Sequence, residues 1–475
     1  MTREVVLPDG FRFGVATAGF QVEGGFNGPG EPANNWSAWE RAGRVEPSGI
    51  AIDFWGRYEE HLDRAVAAGC DSLRLSVEWA RCEPEEGSLD EDALDRYAAI
   101  LDACWDRGLE PLVTISHFTH PAWLGEDLWL RPESPERMAR WAEAVVTRLG
   151  GRCSKWVTVN EPNVLAIESY VAGAFPPGRL GDAPAAVRAL DHMLAAHVRC
   201  YEVIHHHQPH GLAAINNYCL SIYELDQLLT DVLMARSMGI ERDRLGPWLT
   251  ERRARWHERL VRPALGLEHL KERALRKVAA RLVPLERALP ETTAAVYDSP
   301  YAATLDVAQL DYYDPVAAHH VRVPGYRTAG GRHWSADQAL WEYRPDPAGL
   351  ARFAADNHHD GLGVWVVENG LCNRVRRGRS IPRVDGWDRA RYLREHLSAV
   401  VAAIDTGIPV GGYWHWTLAD NYEWGTYEPR FGLYGVDRER GLRWSQVDSM
   451  GYDAAGAYRR LAEGLRQGDR GVLSP

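Results

Sequence analysis

The 475-residue sequence predicts an α/β protein built as a single (β/α)8 barrel, the TIM-barrel class. Short apolar strands alternate with amphipathic helices along the chain, and this alternation favours a parallel sheet. Eight strand–helix pairs can be counted, which favours closure into a barrel over an open sheet. Neither a linker of distinct composition nor an internal repeat divides the chain. Residues 1–475 are therefore expected to form one domain.

The predicted strands are apolar or alternating runs between turn residues. The run SLRLSV alternates along its length, whereas GVWVV is apolar throughout, as in a strand that is buried on both faces. The eight predicted strands cover residues 11–18, 72–77, 111–118, 155–160, 211–217, 305–313, 363–367 and 410–416.

Between these strands, apolar residues recur at spacings of three and four, which predicts helices that bury one face. The principal predicted helices cover residues 58–68, 92–107, 135–149, 183–206, 387–404 and 452–463.

A helical insertion is predicted between the fifth and sixth strands, over about residues 224–300. Within it, residues 241–290 contain thirteen Lys or Arg against seven Asp or Glu, a local charge of +6. One interpretation is a docking surface for an acidic partner. The other, which this kind of pattern more often has, is a set of solvated helices with alternating charges.

Composition excludes several classes of function. The net charge is −12, from 54 basic and 66 acidic residues, which argues against general affinity for nucleic acid or an anionic membrane. Seven widely spaced cysteines without a C-x-x-C pair predict buried thiols in a reducing compartment, not disulfides or a zinc site. No signal-peptide-like or membrane-spanning stretch is evident, so we expect a cytoplasmic protein. The sequence does not determine whether the chain forms a homo-oligomer.

Two glutamates stand where the fourth and seventh predicted strands end, Glu161 in N-E-P and Glu368 in E-N-G. Because functional side chains of a barrel collect at the carboxyl ends of its strands, we expect both at one rim. Cleavage of a glycosidic bond needs such a pair, one carboxyl to protonate the leaving oxygen and one opposite it. Either glutamate alone would be read as a loop residue, but together they predict a glycosidase site.

The other strand ends carry side chains that suit a sugar ring. Amides, imidazoles and carboxylates can bind neighbouring hydroxyls, and an indole can cover the apolar face of the ring. The candidates are Gln21 and Glu23 after strand one, Arg74 in strand two, His117 and Phe118 at strand three, Asn160 at strand four, Tyr312 and Tyr313 at strand six, and Trp416, Glu423 and Trp424 at and after strand eight.

The motifs ATAGFQVEGG, TVNEPN, VVENG, DNYEW and RFGLYGVD, in that order, resemble glycoside hydrolase family 1, the β-glucosidase and β-galactosidase family. The resemblance runs from Phe11 to about Asp437 and is weakest over residues 220–300. VEWAR and HFTHPAWL are more similar to the archaeal-type branch than to the plant one. The resemblance implies a retaining, exo-acting β-glycosidase of small-molecule glycosides that uses neither cofactor nor metal. β-Glucosides are the expected substrates, with β-galactosides and β-fucosides as further candidates.

Position by position, the resemblance implies that Glu161 is the acid/base and Glu368 the nucleophile. It also implies that Arg74 and Tyr313 hydrogen-bond and orient Glu368, which should lower the pKa of that carboxyl. Glu161 should be less solvated and lack a cation, so that it holds its proton. The implied sugar-binding residues are Gln21, His117, Asn160, Glu423 and Trp424, with Trp416 as the stacking floor.

Two positions refine this expectation. Relatives that cleave 6-phosphoglycosides replace the glutamate at position 423 and supply a nearby lysine, so Glu423 predicts a non-phosphorylated sugar. Asp311 stands where the family has asparagine, which should alter the titration of the neighbouring glutamates.

Two alternative functions stay open. A transglycosidase would share every one of these residues, and a non-catalytic sugar-binding relative would normally lack one of the two carboxylates.

Overall fold

The computed structural model describes residues 4–259, 267–285, 289–313, 315–317, 340–438 and 440–474. Parallel strand pairs follow the order of the chain, and the last long strand pairs with the first. The strands are Arg12–Ala16, Ser72–Ser76, Glu110–Ser116, Lys155–Val159, Leu212–Ala214, Asn216–Tyr218, Val307–Asp311, Gly363–Asn369 and Val410–Trp416. The predicted parallel barrel is confirmed.

The fifth strand of the barrel is interrupted once. Leu212–Ala214 pairs with the fourth strand, and Asn216–Tyr218 pairs with the sixth. Only Ile215 separates the two segments, so the chain itself joins both ends of the sheet. Nine segments thus make eight barrel positions, where an unbroken fifth strand over residues 211–217 was predicted.

Helices cover the outside of the barrel in the expected alternation. The principal ones are Phe54–Ala67, Glu91–Asp106, Ser134–Leu149, Ala183–His207, Pro347–Asn357, Arg389–Asp405 and Ala454–Arg466. Shorter helices occupy the loops at Gly19–Val22, Ser37–Arg41, Trp79–Cys82 and Pro162–Tyr170, with 3-10 turns at Ala122–Leu124, Leu128–Leu130, Leu340–Glu342 and Arg470–Leu473. Short antiparallel strands that the sequence analysis did not predict lie at Asn373–Arg376, Arg379–Ile381, Pro429–Arg430, Val436–Asp437 and Arg443–Trp444.

An apolar cluster fills the barrel between the strands. Buried side chains from five different strands contact one another there, as expected of the packed interior of a closed barrel. They include Ala16, Leu112, Val157, Val367 and Trp414. A larger apolar cluster joins the outer faces of the strands to the surrounding helices.

The segment between strands five and six is helical, as predicted. Its elements are Tyr223–Leu225, Gln227–Met234, Arg242–Arg244, Leu245–Arg259, Leu267–Leu282 and Pro290–Asp298.

Several of its basic residues bind buried acids of the same segment. Arg252 lies 2.7 Å from Asp231, and Arg253 lies 3.1 Å from Glu224; neither acid side chain has exposed area. Part of the local positive charge therefore serves internal packing, which favours the structural interpretation over a docking surface.

All seven cysteines are buried and free, as predicted. Across the described ranges, no helix combines the length and the apolar character that a bilayer crossing needs.

Candidate active site

Glu368 lies within the seventh strand, one residue before its end. The guanidinium of Arg74, from strand two, donates a hydrogen bond to Oε1 of this carboxylate. The phenol of Tyr313 donates to Oε2 at 2.9 Å. Both oxygens therefore have a donor, as the sequence analysis expected.

The pKa of Glu368 lies above its ordinary value because burial outweighs its two donors. Burial is the largest effect, while the charge and hydrogen bond of Arg74 and the hydrogen bond of Tyr313 act in the opposite direction. The prediction of a lowered pKa was therefore wrong in its net direction, although both lowering groups are present. The sequence could identify the donors but not how completely the site is buried.

Glu161 lies two residues beyond the end of strand four, at the residue that precedes the helix Pro162–Tyr170. Its backbone is left-handed, with φ 36°, a conformation that is uncommon outside glycine and concentrated at functional sites. The side chain amide of Asn163 fixes the start of this helix by donating to the backbone oxygens of Tyr218 at 2.8 Å and Leu225 at 2.6 Å.

The pKa of Glu161 is raised well above its ordinary value, first by burial and then by the charges of Asp311 and Glu368. Arg74 lowers this pKa only as the smallest of these effects. A carboxyl group in such surroundings retains its proton, which suits a general acid.

Three carboxyl groups meet at this point. Glu161, Asp311 and Glu368 each place one oxygen within 4.8 Å of an oxygen from the other two. This spacing fits a retaining glycosidase, whose two carboxyl groups are about 5–5.5 Å apart, and leaves little room for the water of an inverting one.

A network around Arg74 connects Glu368 to the polar residues of neighbouring strands. Arg74 donates from Nε to Thr114 Oγ1 at 3.1 Å and from Nη2 to Asn160 Oδ1. Asn160 Nδ2 lies 3.1 Å from Nε2 of His117. Burial and the charge of Arg74 lower the pKa of His117 well below its usual value, so its imidazole is neutral.

Glu423 collects two further predicted sugar-binding residues. Its Oε2 accepts from Gln21 Nε2 at 3.0 Å, and its Oε1 accepts from Trp416 Nε1 at 3.1 Å. Burial raises the pKa of Glu423 to about 8, although both hydrogen bonds lower it.

Aromatic contacts connect His117 to Trp416, which binds Glu423. The imidazole stacks near Trp416, with ring centroids 6.1 Å apart, and near Trp424, at 5.7 Å. Phe118 packs edge-on against Trp424 at 5.0 Å. The structure therefore brings the candidates from strands one, three and eight into one connected set.

Two candidates lie elsewhere. Tyr312 donates its hydroxyl to the backbone oxygen of Asp346, because strand six ends at Asp311 and adjacent residues point in different directions. Glu23 binds Arg81 at 3.0 Å and Tyr97 at 2.7 Å, not the carboxylate cluster.

Two polar residues of the site were not among the predicted candidates. Asn216 on strand five hydrogen-bonds Asp311, and Thr114 on strand three accepts a hydrogen bond from Arg74. The side chain of Asn216 donates to Asn160 at 2.8 Å and to Asp311 at 3.1 Å. A polar residue within an otherwise apolar strand was the available signal.

The cluster of Glu161, Asp311 and Glu368 has the spacing that a metal ion requires. Carboxylates also suit hard cations such as Mg²⁺. Arg74, however, already binds Glu368 within this cluster, and a protonated Glu161 would be a poor ligand. A metal ion at this point would therefore compete with the guanidinium of Arg74 for Glu368.

The sequence matches the family model for glycosyl hydrolase family 1 over residues 3–452. It is 28% identical over 468 residues to a bifunctional β-D-glucosidase/β-D-fucosidase of Bifidobacterium breve, covering 92% of this chain and 95% of the relative. It is 28% identical over 480 residues to a β-glucosidase of an Agrobacterium strain, covering 98% and 97%.

Among solved structures, the fold is similar to that of a β-glucosidase from Thermotoga maritima in complex with azafagomine. The TM-score is 0.72 at 23% identity, and the match covers 97% of this chain and 99% of that chain. The family model spans nearly all of the described barrel, including both glutamates. The chain therefore belongs to glycosyl hydrolase family 1 and is a glycoside hydrolase.

Proposed function

We propose that the protein is a retaining, exo-acting β-glycosidase that hydrolyses non-phosphorylated β-glucosides. The observation that carries this proposal is the approach of Glu161 and Glu368, whose oxygens lie within 4.8 Å at the ends of strands four and seven. Such a separation favours double displacement over direct attack by water.

In the first step, a carboxylate oxygen of Glu368 attacks the anomeric carbon while the bond to the leaving oxygen breaks. Glu161 gives its proton to that oxygen, which departs as an alcohol. Arg74 and Tyr313 hold the attacking carboxylate from two sides and leave its orientation little freedom. The product of this step is a glycosyl ester of Glu368.

In the second step, Glu161 is a carboxylate and takes a proton from water, which attacks the same anomeric carbon. The bond to Glu368 breaks, and the sugar leaves with its original configuration. Because the ester carries no charge, Glu368 no longer raises the pKa of Glu161 through its charge, which helps this group to remain ionised as a base.

The groups around His117 and Glu423 supply sugar recognition. Asn160 and His117 offer an amide and an imidazole beside the nucleophile, and Gln21 and Glu423 form a second polar pair. Trp416 binds Glu423 through its ring nitrogen, and we assign its indole face to the apolar side of the sugar.

Glu423 supports a neutral sugar. The burial that raises the pKa of Glu423 to about 8 disfavours negative charge at this position, and a phosphate would bring such charge there. The relative from Bifidobacterium breve, which acts as a β-D-glucosidase and β-D-fucosidase, supports β-fucosides as further substrates, and we include β-galactosides with them.

The test is a panel of p-nitrophenyl glycosides with the stereochemistry of the product followed by NMR. We expect release from the β-glucoside, initial formation of the β-anomer, and little release from the 6-phosphoglucoside. Initial formation of the α-anomer would contradict the retaining mechanism, and efficient cleavage of the phosphorylated sugar would contradict the role of Glu423.

A variant of the nucleophile tests the assignment of roles. Glu368→Gly should lose turnover and regain it with azide, with the α-glycosyl azide as product, because the small anion attacks from the vacated side. A β-glycosyl azide would assign the nucleophile elsewhere.

Two further properties belong to the same proposal. The seven buried free cysteines support a reducing, cytoplasmic location. The motifs VEWAR and HFTHPAWL support a placement near the archaeal-type branch of the family.

A further inference from the structure

Asp311 is the member of the carboxylate cluster to which the proposed mechanism gives no role. It ends strand six, has no exposed surface, and is paired in register with Glu368 on strand seven. The family resemblance places a neutral asparagine at this position. The chain therefore carries one more acidic group in its catalytic centre than the two-carboxylate mechanism requires.

The charges of the cluster do not balance if all three carboxyls are ionised. Arg74 is hydrogen-bonded to Glu368, so this guanidinium already serves one of the three groups. The other two carboxyl groups, of Glu161 and Asp311, are buried, and an oxygen of one lies within 4.8 Å of an oxygen of the other. Two like charges at that distance in a dry site repel strongly, and one proton shared between them relieves the repulsion.

The two carboxyl groups face each other, each with an oxygen within 4.8 Å of the other. Their interaction raises the pKa of Glu161 and lowers the pKa of Asp311, which favours a proton on Glu161. Asn216 donates to both oxygens of Asp311, at 3.3 and 3.1 Å, which stabilises the acceptor form. Its second contact, to Asn160 at 2.8 Å, ties this arrangement to the network of Arg74.

We propose that Asp311 is a positioning residue for the catalytic proton, which it shares with Glu161 and holds on the acid ready for the leaving oxygen. This inference rests on the proposed β-glycosidase function. Glu161 transfers the proton to substrate, and Asp311 acts only through Glu161.

The surroundings of Asp311 agree with this role. Its own pKa is raised well above the ordinary value by burial and by Glu368, while Arg74 and the hydrogen bonds of Glu161 and Asn216 lower it. The titratable and charged groups that face it from the packed elements are Arg74, Glu161, Tyr313, Glu368 and Cys219.

Sharing the proton should extend activity toward alkaline pH. The negative charge of Asp311 opposes ionisation of Glu161, so the acid stays protonated at a pH where an isolated glutamate would have lost its proton. Once Glu368 is esterified, its negative charge no longer raises the pKa of Glu161 or of Asp311, which makes the proton easier to release.

The experiment compares the wild type with Asp311→Asn, which keeps the shape and removes the charge. The alkaline limb of kcat/KM should move to lower pH by about one unit or more, while kcat at acidic pH changes little. Asp306→Asn removes a charge just before the same strand, where Asp306 binds Tyr201 and His205, and should leave this limb in place. An unmoved limb in active Asp311→Asn would overturn the proposal.

A second measurement needs no turnover and no stable Asp311→Asn variant. Infrared difference spectra of the wild type between acidic and alkaline buffer should contain a protonated-carboxyl band that both aspartate and glutamate ¹³C labelling perturb. In Glu161→Gln, the aspartate contribution to this band should change. If that contribution is unchanged, the two groups titrate independently and the proposal fails. If the wild type hydrolyses no β-glycoside, the proposed function fails, whereas these spectra still decide whether the proton is shared.

Discussion

Tyr313 donates a 2.9 Å hydrogen bond to Oε2 of Glu368, from the residue that lies two positions beyond the end of strand six. Hydrogen bonds to a charged partner contribute about 1.5–3 kcal/mol. Tyr313→Phe should therefore lower kcat/KM by roughly ten- to a hundredfold, since each 1.36 kcal/mol is about a factor of ten. Because this bond lowers the pKa of Glu368, its loss should also move the acidic limb of the rate profile to higher pH.

The preceding tyrosine provides the matched control. Tyr312→Phe loses a hydrogen bond to the backbone oxygen of Asp346, away from the carboxylates. Its stability should fall slightly while the pH profile stays that of the wild type. Equal effects of the two variants on the acidic limb would contradict the assigned role of Tyr313.

Glu161→Ala should discriminate between leaving groups. A nitrophenolate leaves with little protonation, whereas an alkyl alcohol needs the acid to supply a proton. We expect kcat/KM for an alkyl β-glucoside to fall by about a hundredfold more than the rate of glycosylation by an activated aryl glucoside. Steady-state and burst kinetics on both substrates measure the difference, and equal losses would argue that another group is the acid.

Glu78 predicts a pH dependence of stability rather than of activity. Burial and the charge of Glu23 raise its pKa from 4.5 to about 7 in the folded protein. The folded state thus holds this proton more tightly, so the stabilisation is complete below about pH 4.5 and is lost as pH rises through about 7. The loss is on the order of 3 kcal/mol, from a shift of about 2.5 units.

Glu78→Gln should remove this contribution. The free energy of unfolding, measured in urea at about pH 5 and about pH 8, should then fall less between the two values than it does in the wild type. Glu59→Gln makes the same change of charge on an exposed residue and should preserve the wild-type difference. An unchanged difference in Glu78→Gln would show that this carboxyl is ionised throughout the range.

Arg252 and Arg255 lie on one helix of the segment between strands five and six, and their substitution should change the stability of the protein by different amounts. Arg252→Met leaves the fully buried Asp231 without its guanidinium partner, which should cost about 3 kcal/mol. Arg255 pairs with Glu251, and both side chains are about two-thirds exposed, so Arg255→Met should change stability by less than about 0.5 kcal/mol. Denaturant unfolding of the two variants tests this, and equal midpoints would contradict the structural role of the buried pair.

The barrel and the two glutamates were predictable because their signals are local. Alternation within each strand and the polar residue at its end are properties of a few adjacent positions. The break at Ile215 was not predictable in this way, because it depends on the fourth and sixth strands pairing with different halves of one run.

The side-chain network needed the structure for a different reason. Sequence pattern could not separate Tyr312 from Tyr313, since only their packing decides which hydroxyl reaches Glu368. It also could not give the direction of the Glu368 pKa, which depends on the balance between burial and Arg74. The place of Asn216 in the site follows from its hydrogen bonds to Asp311 and Asn160, which are distant in the chain, so its own strand could not reveal it.

The side-chain amide of Asn163 ties the helix that follows Glu161 to the backbone oxygens of Tyr218 and Leu225, where the helical segment between strands five and six begins. The attacking carboxylate is anchored instead by strands two and six. The segment that supports the helix after Glu161 can therefore change, and with it the leaving-group side of the site, while the residues that hold Glu368 stay the same. An enzyme built in this way can change the alcohol that it releases and still form the same glycosyl ester.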